Sequence, residues 1–387
     1  MIVRKGAKRL LQSLKSDHYE TLNLVTIHRK QLLHNIDFFR QRVPGLTIIP
    51  VLKSNAYGHG LVQIAEILNT ADIALLAIDG YFEAAKIRDI TNHRILVMGY
   101  ILPSNVQLLD TKRCSFVVQD KHGLEAFGKL GRQVRIHLEL NTGMNRLGIV
   151  ASEINDYLAI CKQYPNLELE GVMTHLADAD NPKETTFSQQ QIKAFDQAVE
   201  QIQQAGFHPK IIHAFQTAGA LKVTSKYATA FRLGIGLYGI NPLTPTDPYF
   251  QEVDRNLQPV LALESTIIKT FDLEKGERVS YNGIFTAPQK MKIAVLPLGY
   301  YEAIPRTLSN RGVVSYHDKQ LPIVGRVCMN HTMIDITGVN IQVGDHVMVI
   351  NKDKDQTNSI AGWHRAYDLF SYDAVASLSE SIRRVII

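Results

Sequence analysis

The sequence predicts an α/β protein, a (β/α)8 barrel followed by a C-terminal all-β domain. Eight strand candidates, each followed by room for a helix, fill about 210 residues, and alternation of this kind builds a parallel sheet. The first candidate lacks the Gly-rich dinucleotide fingerprint of a doubly wound sheet, which leaves that fold as the runner-up. Beyond residue 240 the pattern turns into short runs with turn residues between them.

In chain order, TLNLVTI at 21–27 reads as a short strand. Leu32, Ile36, Phe39 and Val43 follow at helical spacing, and Pro44-Gly45 breaks that helix. The eight barrel strands are expected at 46–52, 73–78, 95–98, 115–118, 135–140, 172–175, 211–214 and 230–235. Helical stretches such as YFEAAKIRDI, SEINDYLAICKQY and TFSQQQIKAFDQAVEQIQQ lie between them. Pro242, Pro245 and Pro248 then mark a linker. STIIKT, RVSYNG, KIAVLPL, GVVSYH, IVGRVCM, TMIDIT and HVMVI follow as strands of the second domain. The resulting division is a basic leader at 1–20, a barrel at 21–250 and a β domain at 251–387.

The chain has 387 residues, 45% hydrophobic and 20% charged, a composition that excludes disordered, collagen-like and coiled-coil classes. The net charge of +5 is concentrated in the first twenty residues, where Arg4, Lys5, Lys8, Arg9 and Lys15 face only Asp17 and Glu20. The remainder is close to neutral, so the charge gives no argument for a nucleic-acid groove. No apolar run approaches membrane-spanning length, and the start lacks the apolar stretch of a secretory signal. Cys114, Cys161 and Cys328 are far apart and odd in number, which suggests a reduced, cytoplasmic compartment. No P-loop is present.

Barrels of this kind place their chemistry at the C-terminal ends of the strands. Lys53, in VLKSNAYGHG, follows the first strand candidate; NTGMNRLG follows the fifth; His175 ends the sixth. Gln216-Thr217 follows the seventh, and Arg232, Gly234 and Ile235 belong to the eighth. The last two loops are the usual phosphate site of such barrels, so a phosphorylated ligand is expected opposite Lys53. The lysine then has two readings. It pairs with the phosphate as a plain cation, or it is a desolvated amine that holds pyridoxal phosphate covalently.

The motifs resemble those of the alanine racemase family. VLKSNAYGHG is similar to the family's lysine motif and NTGMNRLG to its fifth-strand motif. FRLGIGLYG, RVSYNG, LGYYEAIPRTLSNRG and PIVGRVCMN match further blocks in the expected order. The resemblance runs from about residue 21 to the C-terminus. RKGAKRLL is similar to a segment joining a cell-wall ligase to such racemases in some fused proteins.

The resemblance implies an enzyme using pyridoxal 5'-phosphate to interconvert L- and D-alanine, supplying D-alanine for peptidoglycan. It assigns Lys53 as the cofactor lysine and one base, and Tyr281 as the base on the opposite face. His175 and Arg232 would assist the tyrosine, with Arg232 facing the pyridine nitrogen. Arginine only donates, so that nitrogen would stay unprotonated and the ring would be a weaker electron sink. Tyr57, Thr217, Gly234, Ile235 and Tyr372 would contact the phosphate. Arg146 would contact the cofactor and the substrate carboxylate, the Met329 backbone would hold that carboxylate, and Tyr300, beside Tyr301, would narrow the entrance. His213 would stack or pack against the cofactor. The resemblance further implies a homodimer with sites shared between subunits; no metal, membrane or nucleic-acid partner is expected. A racemase of broader specificity, a non-catalytic pyridoxal-phosphate binder and a decarboxylase are the rival readings.

Three positions depart from the family pattern. Glu139, in HLELNTG, stands where a carbamylated lysine commonly orients the arginine of the GM-x-R block. Arg135, His137 and Glu139 share one polar face of the strand; the resemblance implies that Glu139 supplies the negative charge to Arg146, with a water or chloride able to bridge its shorter reach, or else makes another salt bridge nearby. Asn330 replaces a usual aspartate, and Gln216 a common asparagine.

Overall fold

The computed structural model describes residues 20–183 and 186–387. The basic leader, Glu20 apart, lies outside the described residues. The chain divides into two compact units: 27–261 with 352–380 and 386–387, and 20–26 with 262–351 and 381–385.

The chain starts with strand β1 (Asn23–Ile27), which belongs to a sheet of the second unit and not to the barrel. The barrel strands are β2 (Thr47–Pro50), β3 (Leu75–Ile78), β4 (Arg94–Val97), β5 (Cys114–Val118), β6 (Val134–Glu139), β7 (Leu167–Met173), β8 (Ile211–Phe215) and β9 (Ala230–Leu233). They form one sheet in the order β2-β9-β8-β7-β6-β5-β4-β3, with each neighbouring pair parallel. A parallel bridge between Val51 and Ala77, with Leu52 N donating to the Ala77 carbonyl at 2.7 Å, joins the two ends and closes the barrel.

Side chains alternate between the bore and the helix layer along each strand. One side of the bore is apolar, with Ile49, Val51, Leu75, Ala77, Leu96 and Val117 packed as a buried cluster. The other side is polar: His137 and Glu139 on β6, His213 on β8 and Arg232 on β9 are all buried. Two register irregularities shape this side. Ile136 pairs with Leu169 but His137 pairs with Gly171, leaving Glu170 as an extra residue on β7. Likewise Ala214 is extra between His213 and Phe215 on β8. Bulges of this kind redirect side chains near functional sites.

The second unit holds the remaining strands: β10 (Leu261–Thr266), β11 (Lys269–Leu273), β12 (Arg278–Val279), β13 (Phe285–Thr286), β14 (Met291–Leu296), β15 (Val313–Tyr316), β16 (Lys319–Pro322), β17 (Thr332–Asp335), β18 (His346–Ile350) and β19 (Arg383–Ile386). They build a six-stranded sheet, β16-β15-β18-β10-β1-β19, a three-stranded antiparallel sheet, β11-β14-β17, and the β12–β13 hairpin.

The compact units differ from the expected boundaries in two places. β1 leaves the barrel, and 352–380, assigned from sequence to the β domain, groups with it. That segment carries two short helices, Ile360–Tyr367 and Ser371–Ala376. The physical tie is local. Lys354 pairs with the Asp254 carboxylate at 3.2 Å. Gly58, at φ 75°, lies so close to Val375 that a Cβ there would come within 1.8 Å of the Val375 carbonyl oxygen.

Candidate active site

Lys53 opens a single turn, Lys53–Tyr57, directly after β2. Ser54, Asn55, Ala56 and Tyr57 all have φ between 50° and 57°, in the left-handed region. For residues with a Cβ this conformation costs roughly 1–2 kcal/mol each. The surroundings hold it in place. Ala56 N donates to the Leu52 carbonyl at 2.8 Å, Gly58 N to the Ser54 carbonyl at 3.1 Å and Gly60 N to the Asn55 carbonyl at 3.0 Å. The Asn55 side chain accepts from Leu61 N at 2.8 Å, and its backbone N donates to Glu83 Oε1 at 3.2 Å.

This turn sets the Lys53 amine, half-buried, among other cations. Burial pushes its pKa down from the ordinary lysine value; Arg146 and Arg232 push the same way, while Asp79 and Glu83 oppose them. The same turn carries Tyr57, whose ring packs against Tyr238 at 5.1 Å and Tyr372 at 6.2 Å between centroids. Burial pushes the Tyr57 phenol up to about 12, against the pull of Arg232, so it stays protonated and donates. Burial, helped by Tyr57 and Asp180, also pushes the Tyr372 phenol up.

Opposite Tyr57, Thr217 begins the helix Thr217–Lys222 after β8, and its hydroxyl accepts from Gly234 N at 3.1 Å. A Cβ on Gly234 would lie 3.1 Å from the Tyr57 hydroxyl and 3.9 Å from the Thr217 hydroxyl. The Tyr57 and Thr217 hydroxyls therefore lie close to the Gly234 backbone. Ile235, fully buried, starts the next turn. Gln216 donates to the Leu176 carbonyl at 3.4 Å, and its buried Oε1 has no protein partner.

Arg232 is buried and strongly held. Its Nη1 donates to the His213 carbonyl at 2.6 Å and faces His213 Nδ1 at 3.0 Å. Its Nη2 donates to the Thr174 carbonyl at 2.7 Å and faces His175 Nδ1 at 3.2 Å. Burial lowers the guanidinium to about 10, with Glu139 opposing and Arg146 adding to the fall, so it remains charged at neutral pH. His175 is pushed down to about 3, by burial first and then by Arg232, Arg146 and Lys53. It is therefore neutral. Because arginine only donates, His175 Nδ1 accepts and its proton sits on Nε2. Gln191 fixes this loop by donating to the His175 carbonyl at 3.1 Å and accepting from Ala177 N at 2.9 Å.

The structure corrects the expectation for Glu139. Among the described residues no ion pair joins Glu139 to Arg146. Glu139 is withdrawn into the bore, where it accepts from Gln119 Nε2 at 3.4 Å, whereas Arg146 is exposed on the loop after β6. The short glutamate stem keeps the carboxylate at the barrel wall. Its charge interacts with Arg232 and, more weakly, with Arg146 across the gap. Gly148, at φ 100°, brings the loop back so tightly that a Cβ would lie 3.1 Å from Glu139 Cγ. His213, expected to stack or pack on a ligand, is fully buried and hydrogen-bonded between Arg232 and His137.

The remaining expected residues lie in the second unit. Tyr281 stands at the tip of the β12–β13 hairpin, between left-handed Ser280 and Asn282, and is 67% exposed. Ser280 anchors the tip by donating to the Arg326 carbonyl at 2.7 Å. Tyr281 borders a cavity of about 490 Å³ lined mainly by Phe271, Leu273, Val279, Val295 and Met333. Tyr300 N donates to the Cys328 carbonyl and Tyr301 N to the Met329 carbonyl, both at 3.0 Å, so Tyr300 and Met329 lie on paired backbone segments.

Asn330 has a structural partner that its sequence context did not suggest: its amide donates to buried Glu302 Oε1 at 2.8 Å, while Glu302 Oε2 accepts from Gly299 N at 2.8 Å. Asn330→Asp replaces that donor with a second carboxylate. The variant is expected to lose about 1–3 kcal/mol of stability at neutral pH. The introduced carboxyl would titrate above its unfolded value. The loss should therefore shrink as pH falls through the carboxylate range. Thermal melts of both proteins from pH 4 to 8 check this; a constant difference contradicts it.

Tyr238, Gln119, His137 and Glu170 were not singled out as site residues. Tyr238 was visible inside FRLGIGLYG; its hydroxyl donates to the Val51 carbonyl at 2.8 Å. His137 and Glu139 were visible as the polar face of a strand, although nothing in the sequence said that this face lines a barrel bore.

A half-buried amine whose charged form is disfavoured, clustered hydroxyls and a buried guanidinium, all at the C-terminal mouth of a closed parallel barrel, define a barrel protein suited to an anionic ligand that carries a carbonyl group. The comparisons make this specific. The chain matches the alanine racemase N-terminal domain over 27–242 and the alanine racemase C-terminal domain over 260–386. It is 32% identical to an alanine racemase of Staphylococcus saprophyticus over 377 residues, covering 96% of each chain. Its structure resembles alanine racemase from Bacillus anthracis with bound L-Ala-P, with a TM-score of 0.86 at 27% identity over 95% of this chain and 96% of the other. It shares the fold of the Bartonella henselae alanine racemase with covalently bound pyridoxal phosphate, with a TM-score of 0.80 at 21% identity over 95% and 100% of the two chains. The chain belongs to the alanine racemase family.

Proposed function

We propose that the protein is a pyridoxal-phosphate-dependent alanine racemase that moves protons with two bases, Lys53 and Tyr281. The observation that carries this reading is the Lys53 amine, its charged form disfavoured by burial, on the same left-handed turn as Tyr57.

The residues present fit the cofactor. Lys53 would hold its carbonyl carbon. The space between Tyr57, Thr217 and Gly234 suits a phosphate, with a phenol and a hydroxyl as donors and no Cβ in the way. Ile235 and Tyr372 border that side, and Arg232 would face the ring nitrogen as an obligate donor. When bound, pyridoxal phosphate supplies an electron sink that acidifies the substrate's α-carbon.

Racemisation needs a proton removed from one face of that carbon and delivered to the other. Lys53 Nζ serves one face. Tyr281 Oη serves the other. A phenol needs help to act as a base near neutrality, since its ordinary pKa is about 10. His175 supports such help: its Nδ1 is occupied by Arg232, which leaves its Nε2–H as a donor. Arg146 and the Met329 backbone would take the substrate carboxylate, and Tyr300 would limit side-chain size.

In this reading the barrel unit binds the cofactor and the β-rich unit contributes Tyr281, with a homodimer sharing its two sites between subunits. D-Alanine for peptidoglycan, made in the cytoplasm, is the proposed role. On adding pyridoxal phosphate, the protein is expected to develop a visible absorbance band and to form D-alanine from L-alanine. Failure of either overturns the reading.

The phosphate assignment has its own check. Gly234→Val places a branched side chain against the Tyr57 hydroxyl. Overpacking of this size costs about 1–3 kcal/mol, so cofactor affinity should fall roughly ten- to a hundredfold in a pyridoxal phosphate titration. Unchanged affinity moves the phosphate elsewhere.

A further inference from the structure

We infer that Glu170 is a remote positioning residue for Arg232, acting through the His137 and His213 rings, whose protons are forced into one direction.

The four groups form an unbroken buried line through the barrel bore. Arg232 Nη1 faces His213 Nδ1 at 3.0 Å, His213 Nε2 faces His137 Nδ1 at 2.9 Å, and His137 Nε2 faces Glu170 Oε2 at 3.2 Å. Both rings are fully buried. The ends of the line decide every proton. Arginine has only donors, so His213 Nδ1 accepts and its proton sits on Nε2. That proton is donated to His137 Nδ1, which must be bare, so the His137 proton also sits on Nε2. It is donated in turn to Glu170, which as a carboxylate only accepts. Burial disfavours the charged form of both imidazoles, pushing each below its ordinary value, in His137 against the pull of Glu170. Glu170 ends up low, at about 2. Its burial opposes this, but hydrogen bonds from His137, Ser115 and Arg94 outweigh it.

The sequence builds space for this line. A Cβ on Gly171 would come within 2.3 Å of His137 Nδ1, so only glycine there lets the ring lie where it does. The bulge at Glu170 places its carboxylate beside that glycine. Ser115 Oγ donates to Glu170 Oε2 at 2.5 Å, and Arg94 pairs with Oε1. The carboxylate is thus anchored by β4 and β5 near the opposite end of the barrel. The effect on Arg232 is orientational. The guanidinium donates to the His213 and Thr174 carbonyls, and with His213 Nδ1 bare it has two further acceptors, His213 Nδ1 and His175 Nδ1, that hold it edge-on between the rings.

The bearing of this line on catalysis rests on the proposed function; its direction does not. Glu170→Gln tests both. Arg94 demands an oxygen, so the amide oxygen turns to it and the amide NH2 faces Ser115 and His137. Both rings must then invert, which puts an Nδ1–H of His213 against an Arg232 donor.

The measurement is 15N NMR of histidine-labelled protein loaded with pyridoxal phosphate, at pH 7, with the two rings assigned through His137→Asn and His213→Asn. In the wild type both rings are expected neutral with the proton on Nε2. In Glu170→Gln both are expected to carry it on Nδ1, with kcat for alanine racemisation about tenfold lower and KM nearly unchanged. A wild-type ring protonated on Nδ1 overturns the inference, whatever the variant does. Inverted rings with unchanged kcat overturn the action on Arg232. A wild type that has the expected tautomers but does not racemise alanine overturns the proposed function instead.

Discussion

Lys53→Ala is expected to abolish both the visible absorbance band with pyridoxal phosphate and all conversion of L- to D-alanine. The loss should reach the detection limit, because the variant removes the covalent anchor and a base together, and a positioned base alone contributes about 10²–10⁴-fold. It should not come from unfolding. The amine is destabilised where it stands, since burial and two arginines disfavour its charged form. The same shift gives a pH expectation for the wild type. A lysine with a lowered folded pKa is a free amine over a wider pH range. Capture of the cofactor by cofactor-free protein should therefore rise with pH and reach its midpoint below the ordinary value of 10.5. Stopped-flow absorbance follows that rise; a midpoint at or above the ordinary value contradicts the environment described for Lys53.

Tyr281→Phe is expected to keep the band and lower L-to-D turnover by about 10²–10⁴-fold. The substitution removes one oxygen and leaves the ring. Tyr281 is exposed at a hairpin tip held by Ser280, so the change should leave stability within about 0.5 kcal/mol. Loss of turnover with an unchanged melting temperature and an unchanged band then isolates proton transfer. Turnover within a few-fold of wild type would remove Tyr281 from the mechanism.

Much of the barrel was legible because its signal is repetitive. Seven of the barrel strands lie within two residues of the expected ranges, from β2 after Pro44-Gly45 to β9 in FRLGIGLYG, whereas β7, expected at 172–175, runs over Leu167–Met173 and leaves His175 in the loop beyond it. Lys53, Thr217, Arg232 and Gly234 were legible as strand ends and loops and Tyr57 through the family resemblance, and the structure gathers them at one end of the bore. Three features were not legible, each for a physical reason. SNAY contains no glycine, so nothing announced four successive left-handed residues; tertiary hydrogen bonds hold what local preference disfavours. The helical return of 352–380 to the barrel depends on packing of Gly58 against Val375, a contact far apart in sequence. The inward turn of Glu170 depends on a bulge, which shifts the two-residue alternation by one and moves a side chain to the other face. Glu139 shows a further limit. Its place on a polar face was clear, but its reach was not, and the carboxylate serves Gln119 and Arg232 rather than pairing with Arg146.

The central claim is stereochemical, and one measurement tests it most directly. Pure L-alanine and pure D-alanine are incubated separately with the pyridoxal-phosphate-loaded protein in deuterated water, and the enantiomers are followed by chiral chromatography with mass detection. Two bases on opposite faces predict that both samples converge on equal amounts of the two enantiomers, and that the first product formed in each carries solvent deuterium at the α-carbon, with no return of the abstracted proton. An L-to-D ratio that stays at its starting value, or loss of alanine to a decarboxylated product, would contradict the account.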